Sequence, residues 1–146
     1  MMENYRAAVI LVVEDDMTTF QLAEIMFRRA NVTNKLYHAK SGIEALDFLY
    51  KRNGHENAPT PDLVYLDLHL PMLSGTEVLE KMYNDPELSK IPTMMLTGSE
   101  SDTSMMVARE FGAVGYVMKP LDPDKIMETY TFNKKVKIRF VVENED

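Results

Sequence analysis

The chain contains no cysteine, which excludes disulfides and thiolate metal sites together and suits a reducing, cytoplasmic setting. It also lacks a long apolar run. The stretch AVILVV near the start stops at Glu14, Asp15 and Asp16, too short and too acidic for a signal peptide or a membrane span. Excess positive charge is missing as well: the formal net charge of −7 argues against a broad nucleic-acid surface and leaves small cations and basic partner patches as possible ligands. No internal repeat or low-complexity segment interrupts the chain. What remains is 146 residues, 45% hydrophobic and 27% charged, enough for one ordinary soluble domain with a respectable core. Most of the twelve methionines, among them Met26, Met82, Met105 and Met106, fall at helical spacing and read as pliable core filling.

Short aliphatic runs alternate with amphipathic helical stretches. Ala8–Val13 shows no alternation and reads as a strand buried on both faces. A helix starting near Met17 follows, with Phe20, Ala23, Met26, Phe27 and Ala30 on one side. Lys35–Ala39 is a weaker strand, and Ile43, Leu46, Leu49 and Tyr50 mark a second helix entered through Ser41. Glycine, asparagine and two prolines make Arg52–Pro61 a surface loop. Leu63–Leu66 is the third strand, and Val78, Leu79 and Met82 define the third helix. Ile91–Leu96 contains the fourth strand; Met105, Ala108 and Phe111 lie on a fourth helix that Gly112 caps. Gly115–Met118 is the fifth strand and Asp122–Asn133 a final helix. Five strands alternating with five helices predict an α/β fold, a doubly wound five-stranded parallel sheet with helices on both faces. Ligands of such sheets bind beyond the carboxyl ends of the strands.

The residues at those ends form an unusual set. The first strand runs into Glu14, Asp15 and Asp16, the third into Asp67, the fourth into Thr97, and the fifth into Lys119 followed by Pro120. Carboxylates gathered in one pocket repel one another, and a divalent cation with oxygen ligands relieves the conflict. Mg²⁺, a lysine and a threonine hydroxyl together could neutralise the equatorial oxygens of a transferring phosphoryl group. A carboxylate in that arrangement can itself be the nucleophile, which makes Asp67 the candidate acceptor. Asp16 is better read as the cap of the first helix.

These marks resemble the receiver domain of two-component response regulators, over roughly Val9 to Tyr130. ILVVEDD resembles the family's acidic pair, LDLHLPMLSG its phospho-acceptor strand and turn, LTG its hydroxyl residue, and GYVMKP its aromatic and lysine. The resemblance implies a flavodoxin-like strand order of 2-1-3-4-5. It also implies that Asp67 is phosphorylated by a histidine kinase or phosphotransfer protein. Glu14 and Asp15 would hold Mg²⁺, Asp15 directly and Glu14 through water, with the backbone carbonyl of His69 as a further ligand. Lys119 would pair with the carboxylate and then the phosphoryl oxygens, across a cis Lys119–Pro120 bond. Thr97 and Tyr116 would form the switch, and the fourth helix, fifth strand and fifth helix the signalling surface. Gly98 replaces the small alanine of many receivers and would open the path to the phosphoryl group. His69 and Ser99 occupy positions that modulate dephosphorylation in the family. The single-domain layout and the Arg52–Pro61 loop are similar to receivers that serve bacterial phytochrome kinases.

Other classes fit less well. A haloacid-dehalogenase-like phosphatase needs an acid two residues after its nucleophile, where this chain has His69, and room for a cap domain. A flavodoxin-like cofactor carrier needs a phosphate-cradling loop, and EDDMTT is acidic. A degenerate, binding-only receiver is disfavoured by the intact Glu14, Asp15, Asp67, Thr97 and Lys119 set. His38 and His55 carry no supporting pattern and read as surface or packing residues. The receiver domain is expected over 1–133. The extension over 134–146 is too short for an output domain, so a stand-alone regulator acting through protein contacts is expected. Val136, Ile138, Phe140 and Val142 alternate with Lys137, Arg139, Val141 and Glu143, a period-two strand pattern. Such an arm can fold back on its own domain or pair across a homodimer, and we expect the homodimer, its cations forming a solvated strand face and not a nucleic-acid site.

Overall fold

The computed structural model of the chain describes residues 8–32, 34–98 and 103–124. In chain order it contains β1 (Ile10–Val13), α1 (Met17–Arg29), β2 (Leu36–Ala39), α2 (Gly42–Tyr50), β3 (Leu63–Asp67), α3 (Gly75–Tyr83), a 3₁₀ turn (Leu88–Lys90), β4 (Thr93–Thr97), α4 (Ser104–Glu110) and β5 (Gly115–Met118). All neighbouring strands are parallel, in the order β2-β1-β3-β4-β5, as the alternating pattern and the resemblance predict. The fifth helix expected over Asp122–Asn133 falls largely outside the described residues, and the arm over 134–146 entirely so. Among the described residues no helix is long and apolar enough to cross a membrane.

The sheet is buried on both sides because alternate strand residues feed two separate cores. Leu11, Val13, Val64, Leu66 and Met95 pack with Leu46, Leu49, Val78, Leu79, Met82 and Ala108 of α2, α3 and α4. Ile10, Val12, Leu63 and Tyr65 point the other way, onto Phe20, Ala23 and Phe27 of α1. Each large side chain so buried contributes roughly 2 kcal/mol, so the two layers hold the strand ends in fixed relative positions.

Several boundaries move for local reasons. β1 starts at Ile10 and not at Ala8, and β4, expected within Ile91–Leu96, spans Thr93–Thr97. Pro92 has no N–H to give to a ladder, although its carbonyl still accepts from Val64 N–H at 3.0 Å. The buried stripe of α2 is Ala45, Leu46, Phe48 and Leu49. Ile43 and Tyr50, expected on that face, are 49% and 39% exposed, because the stripe is centred between Ala45 and Leu49. Met82 is core, but Met106 is 72% exposed, so helical spacing alone overstates how many methionines fill the interior.

Caps define the helix starts. Asp16 accepts from Thr19 N–H at 3.1 Å, the role expected of it. Ser41 accepts from Glu44 N–H at 3.0 Å, while Glu44 Oε1 accepts from Lys40 N–H at 2.7 Å. Ser74 accepts from Glu77 N–H at 3.2 Å. After α4, Gly112 takes a positive φ of 83°, the conformation that ends helices at glycine.

Candidate functional site

Parallel pairing brings four distant segments to one end of the sheet. Glu14 follows β1, and its N–H donates to Ala39 O of β2 at 3.0 Å. Asp67 closes β3 opposite Leu96, and Thr97 closes β4 opposite Met118. Lys119 follows β5, with its N–H donating to Thr97 O at 2.7 Å, and the Lys119–Pro120 peptide is cis. Glu14, Asp67 and Thr97 are buried, at 2%, 4% and 1% exposure, whereas Asp15 is exposed.

A buried carboxylate needs partners, and Asp67 has them. Its Oδ2 accepts from the Lys119 ammonium at 2.6 Å and its Oδ1 from His69 N–H at 3.0 Å. Lys119 Nζ also lies 2.8 Å from Glu14 Oε2, so one ammonium bridges two buried acids. Burial pushes the Glu14 carboxyl up to about 7, aided by neighbouring Asp67 and opposed by Lys119. Burial works against the Lys119 charge, but its bonds to Asp67 and Glu14 outweigh that and raise its pKa. Carboxylate oxygens of Glu14, Asp15 and Asp67 all lie within 4.8 Å of one another. Two of these three acids share one lysine, and all three are hard oxygen donors. Such a set suits a small divalent cation and disfavours a bare anion.

The glycine that opens α3 makes this geometry possible. A Cβ on Gly75 would stand 2.1 Å from Asp67 O and 2.9 Å from Leu68 Cα, while Gly75 N–H donates to Leu68 O at 3.1 Å. The helix start therefore rests directly on the backbone that carries Asp67.

The family model of the response regulator receiver domain matches residues 10–131. The chain belongs to that family. This receiver is 32% identical over 117 residues to the response regulator Rcp1 of Synechocystis sp., covering 80% of each chain. It is 29% identical over 120 residues to the polar-differentiation response regulator DivK of Brucella abortus, covering 82% of this chain and 90% of that one. Among solved structures it is similar to the bacteriophytochrome response regulator AtBRR, with a TM-score of 0.83, 29% identity and coverage of 97% and 100%. The Mn²⁺-bound form of Rcp1 superposes with a TM-score of 0.75 at 27% identity, covering 90% of this receiver and 99% of that chain.

Of the residues singled out in the sequence, Glu14, Asp15, Asp67 and Lys119 meet in this receiver's pocket, and Thr97 lines up beside them at the adjacent strand end. Tyr116 on the edge strand β5 is 45% exposed, pointing away from the core. His69 is exposed, and its backbone N–H, not its imidazole, makes the bond to Asp67. His55 packs against Phe48, as a packing residue should. His38 does more than the sequence indicates: its ring stacks on Phe20 with centroids 3.8 Å apart, and its Nε2 lies 2.7 Å from the Glu14 carbonyl.

Proposed function

We propose that this receiver accepts a phosphoryl group on Asp67 from the phosphohistidine of a histidine kinase or phosphotransfer protein, and signals through a resulting change in its protein contacts. The observation that carries this reading is a buried Asp67 carboxylate clasped by Lys119 at 2.6 Å, within a cluster of three acids that it forms with Glu14 and Asp15. Asp67 attacks phosphorus, the phosphorus–nitrogen bond breaks, and its electron pair returns to the imidazole of the donor. Glu14, Asp15, Asp67 and the backbone carbonyl of His69 would hold Mg²⁺, which supplies positive charge against the phosphoryl oxygens. Lys119, already bonded to Asp67, follows the developing charge onto a phosphoryl oxygen. Thr97, from the next strand end, offers its hydroxyl to another. Movement of Thr97 draws Tyr116 inward from its exposed position, a two-state element biased by a local charge change. Because the reaction ends on the protein itself, the receiver is a phospho-acceptor and not an enzyme acting on a separate substrate.

Intact mass after incubation with acetyl phosphate and Mg²⁺ tests this reading. The expected result is one added phosphoryl group on the wild type and none on Asp67→Asn. Equal labelling of both chains, or none of either at any Mg²⁺ concentration, contradicts it and favours a binding-only receiver.

The Glu14 carboxyl yields a pH prediction. With its pKa at about 7, the group is mostly protonated at pH 6, and a bound cation must displace that proton. Divalent affinity is therefore expected to fall by up to about tenfold per pH unit below 7, measured by titration calorimetry in buffers of different ionisation enthalpy. Affinity that is flat between pH 6 and 8, without proton release, contradicts the assignment of Glu14 to the cation site.

A further inference from the structure

From the geometry around β2 we infer that His38 is a positioning residue for the acidic loop, its imidazole fixing the peptide that joins Glu14 to Asp15. This inference rests on the divalent-cation reading of the pocket given above.

His38 sits in register with Val12, on the strand neighbouring β1. One face of its ring is covered by Phe20 of α1, the ring planes parallel to within 3°, and Phe20 is itself buried. At the ring edge, Nε2 lies 2.7 Å from Glu14 O. A carbonyl oxygen can only accept, so Nε2 carries the proton and donates. The next residue of the strand, Ala39, accepts the Glu14 N–H at 3.0 Å. Both backbone polar groups of Glu14 are thus held by adjacent residues of β2, one through the main chain and one through the histidine.

The consequence follows from peptide planarity. The Glu14 carbonyl and the Asp15 N–H share one rigid plane, so a donor that fixes the first orients the second and the departure of the Asp15 side chain. The Glu14 carboxylate in turn reaches Lys119 at 2.8 Å and accepts from Asp16 N–H at 3.3 Å. Two acids of the cation site therefore take their relative placement from a ring on a strand that contributes no ligand. Partners that orient ligands in this way govern cation affinity without touching the ion. A purely apolar side chain at position 38 could cover Phe20 equally well but would leave the Glu14 carbonyl without its donor.

The test separates the donor from the stack. His38→Phe keeps an aromatic ring against Phe20 and removes the N–H, whereas His38→Gln keeps an amide N–H at similar reach and loses the ring. Mn²⁺ binding is read by electron paramagnetic resonance of the free ion, alongside urea midpoints and the ¹⁵N shifts of the His38 ring in the wild type. We expect His38→Phe to bind Mn²⁺ about tenfold more weakly with a near wild-type urea midpoint, and His38→Gln to recover most of that loss. The ring shifts should show Nε2 protonated. Wild-type Mn²⁺ affinity in His38→Phe, no recovery in His38→Gln, or a deprotonated Nε2 overturns the inference. Asp15→Asn is the separate check on its foundation. If the wild type does not bind Mn²⁺, or Asp15→Asn binds it equally well, the cation-site reading fails and this inference fails with it. If Asp15→Asn weakens binding while His38→Phe does not, only the positioning role is lost.

Discussion

Replacing Gly75 with alanine is expected to cost about 3 kcal/mol of stability, the upper range for overpacking a filled site, and to abolish phosphoryl uptake by Asp67. The added Cβ would stand 2.1 Å from the Asp67 carbonyl oxygen and 2.9 Å from Leu68 Cα. Both obstacles are backbone, in or next to a strand paired on each side, by β1 and by β4, so neither can yield. The start of α3 must swing away instead, breaking the bond from Gly75 N–H to Leu68 O and releasing the turn that follows Asp67. Alanine's better helix propensity, worth up to about 1 kcal/mol, is too small to offset this. Gly98, at the end of β4, provides the contrast. Among the described residues nothing lies within 4 Å of a Cβ built there, so Gly98→Ala should change stability by less than about 0.5 kcal/mol. Urea denaturation followed by circular dichroism checks both. Equal stability of Gly75→Ala and Gly98→Ala would contradict the packing account.

Lys119→Met should have an effect of similar size, with a pH signature of its own. The lysine bridges Glu14 and Asp67 at 2.8 and 2.6 Å, and both acids are buried. Removing the cation leaves two carboxylates facing each other. Losing one member of a buried charge network costs about 3 kcal/mol, here tempered because the Lys119 side chain is 26% exposed. The sign follows from linkage. Burial already pushes the Glu14 carboxyl up to about 7, and losing Lys119 removes the bond that opposes this rise, so Glu14 holds its proton still more tightly in the folded chain than in the unfolded one. Below the ordinary carboxylate range both states are protonated and the deficit vanishes. As pH rises from about 5 to 8 the folded chain must either retain protons or bear facing charges, so the deficit relative to the wild type grows. Mg²⁺ should restore more stability to Lys119→Met than to the wild type, because a divalent ion replaces the missing charge. A deficit that is the same at pH 5 and pH 8, or larger at pH 5, contradicts this account.

Much of the fold and the pocket is legible in the order of residues alone, for specific reasons. β3 shows why the site is visible: LVYL demands burial on both faces, and a carboxylate directly after such a run needs a partner. The doubly wound pattern then implies that Glu14, Thr97 and Lys119 end their strands on the same edge. Contacts that depend on register and side-chain reach are not legible. His38 lies on a short edge strand whose sequence, LYHA, fits a packing histidine as well as a donor. Its partner is a backbone carbonyl, which leaves no trace in residue identity. The missing signal is the register of β2 against β1, which sets position 38 opposite Val12, just before the acidic loop. Exposure at Ile43, Tyr50 and Met106 is hidden for a related reason: helical period gives a direction, but where a helix meets its neighbours decides the width of the buried stripe.

The central claim, that Asp67 is the covalent acceptor, is tested most directly by chemical trapping. Borohydride reduces an acyl phosphate to an alcohol, converting a phosphorylated aspartate into homoserine. Protein incubated with acetyl phosphate and Mg²⁺, reduced, digested and sequenced by mass spectrometry should carry homoserine at position 67 alone, and only when Mg²⁺ is present. Homoserine at Asp15, Asp16 or another acid with position 67 unchanged would contradict the account.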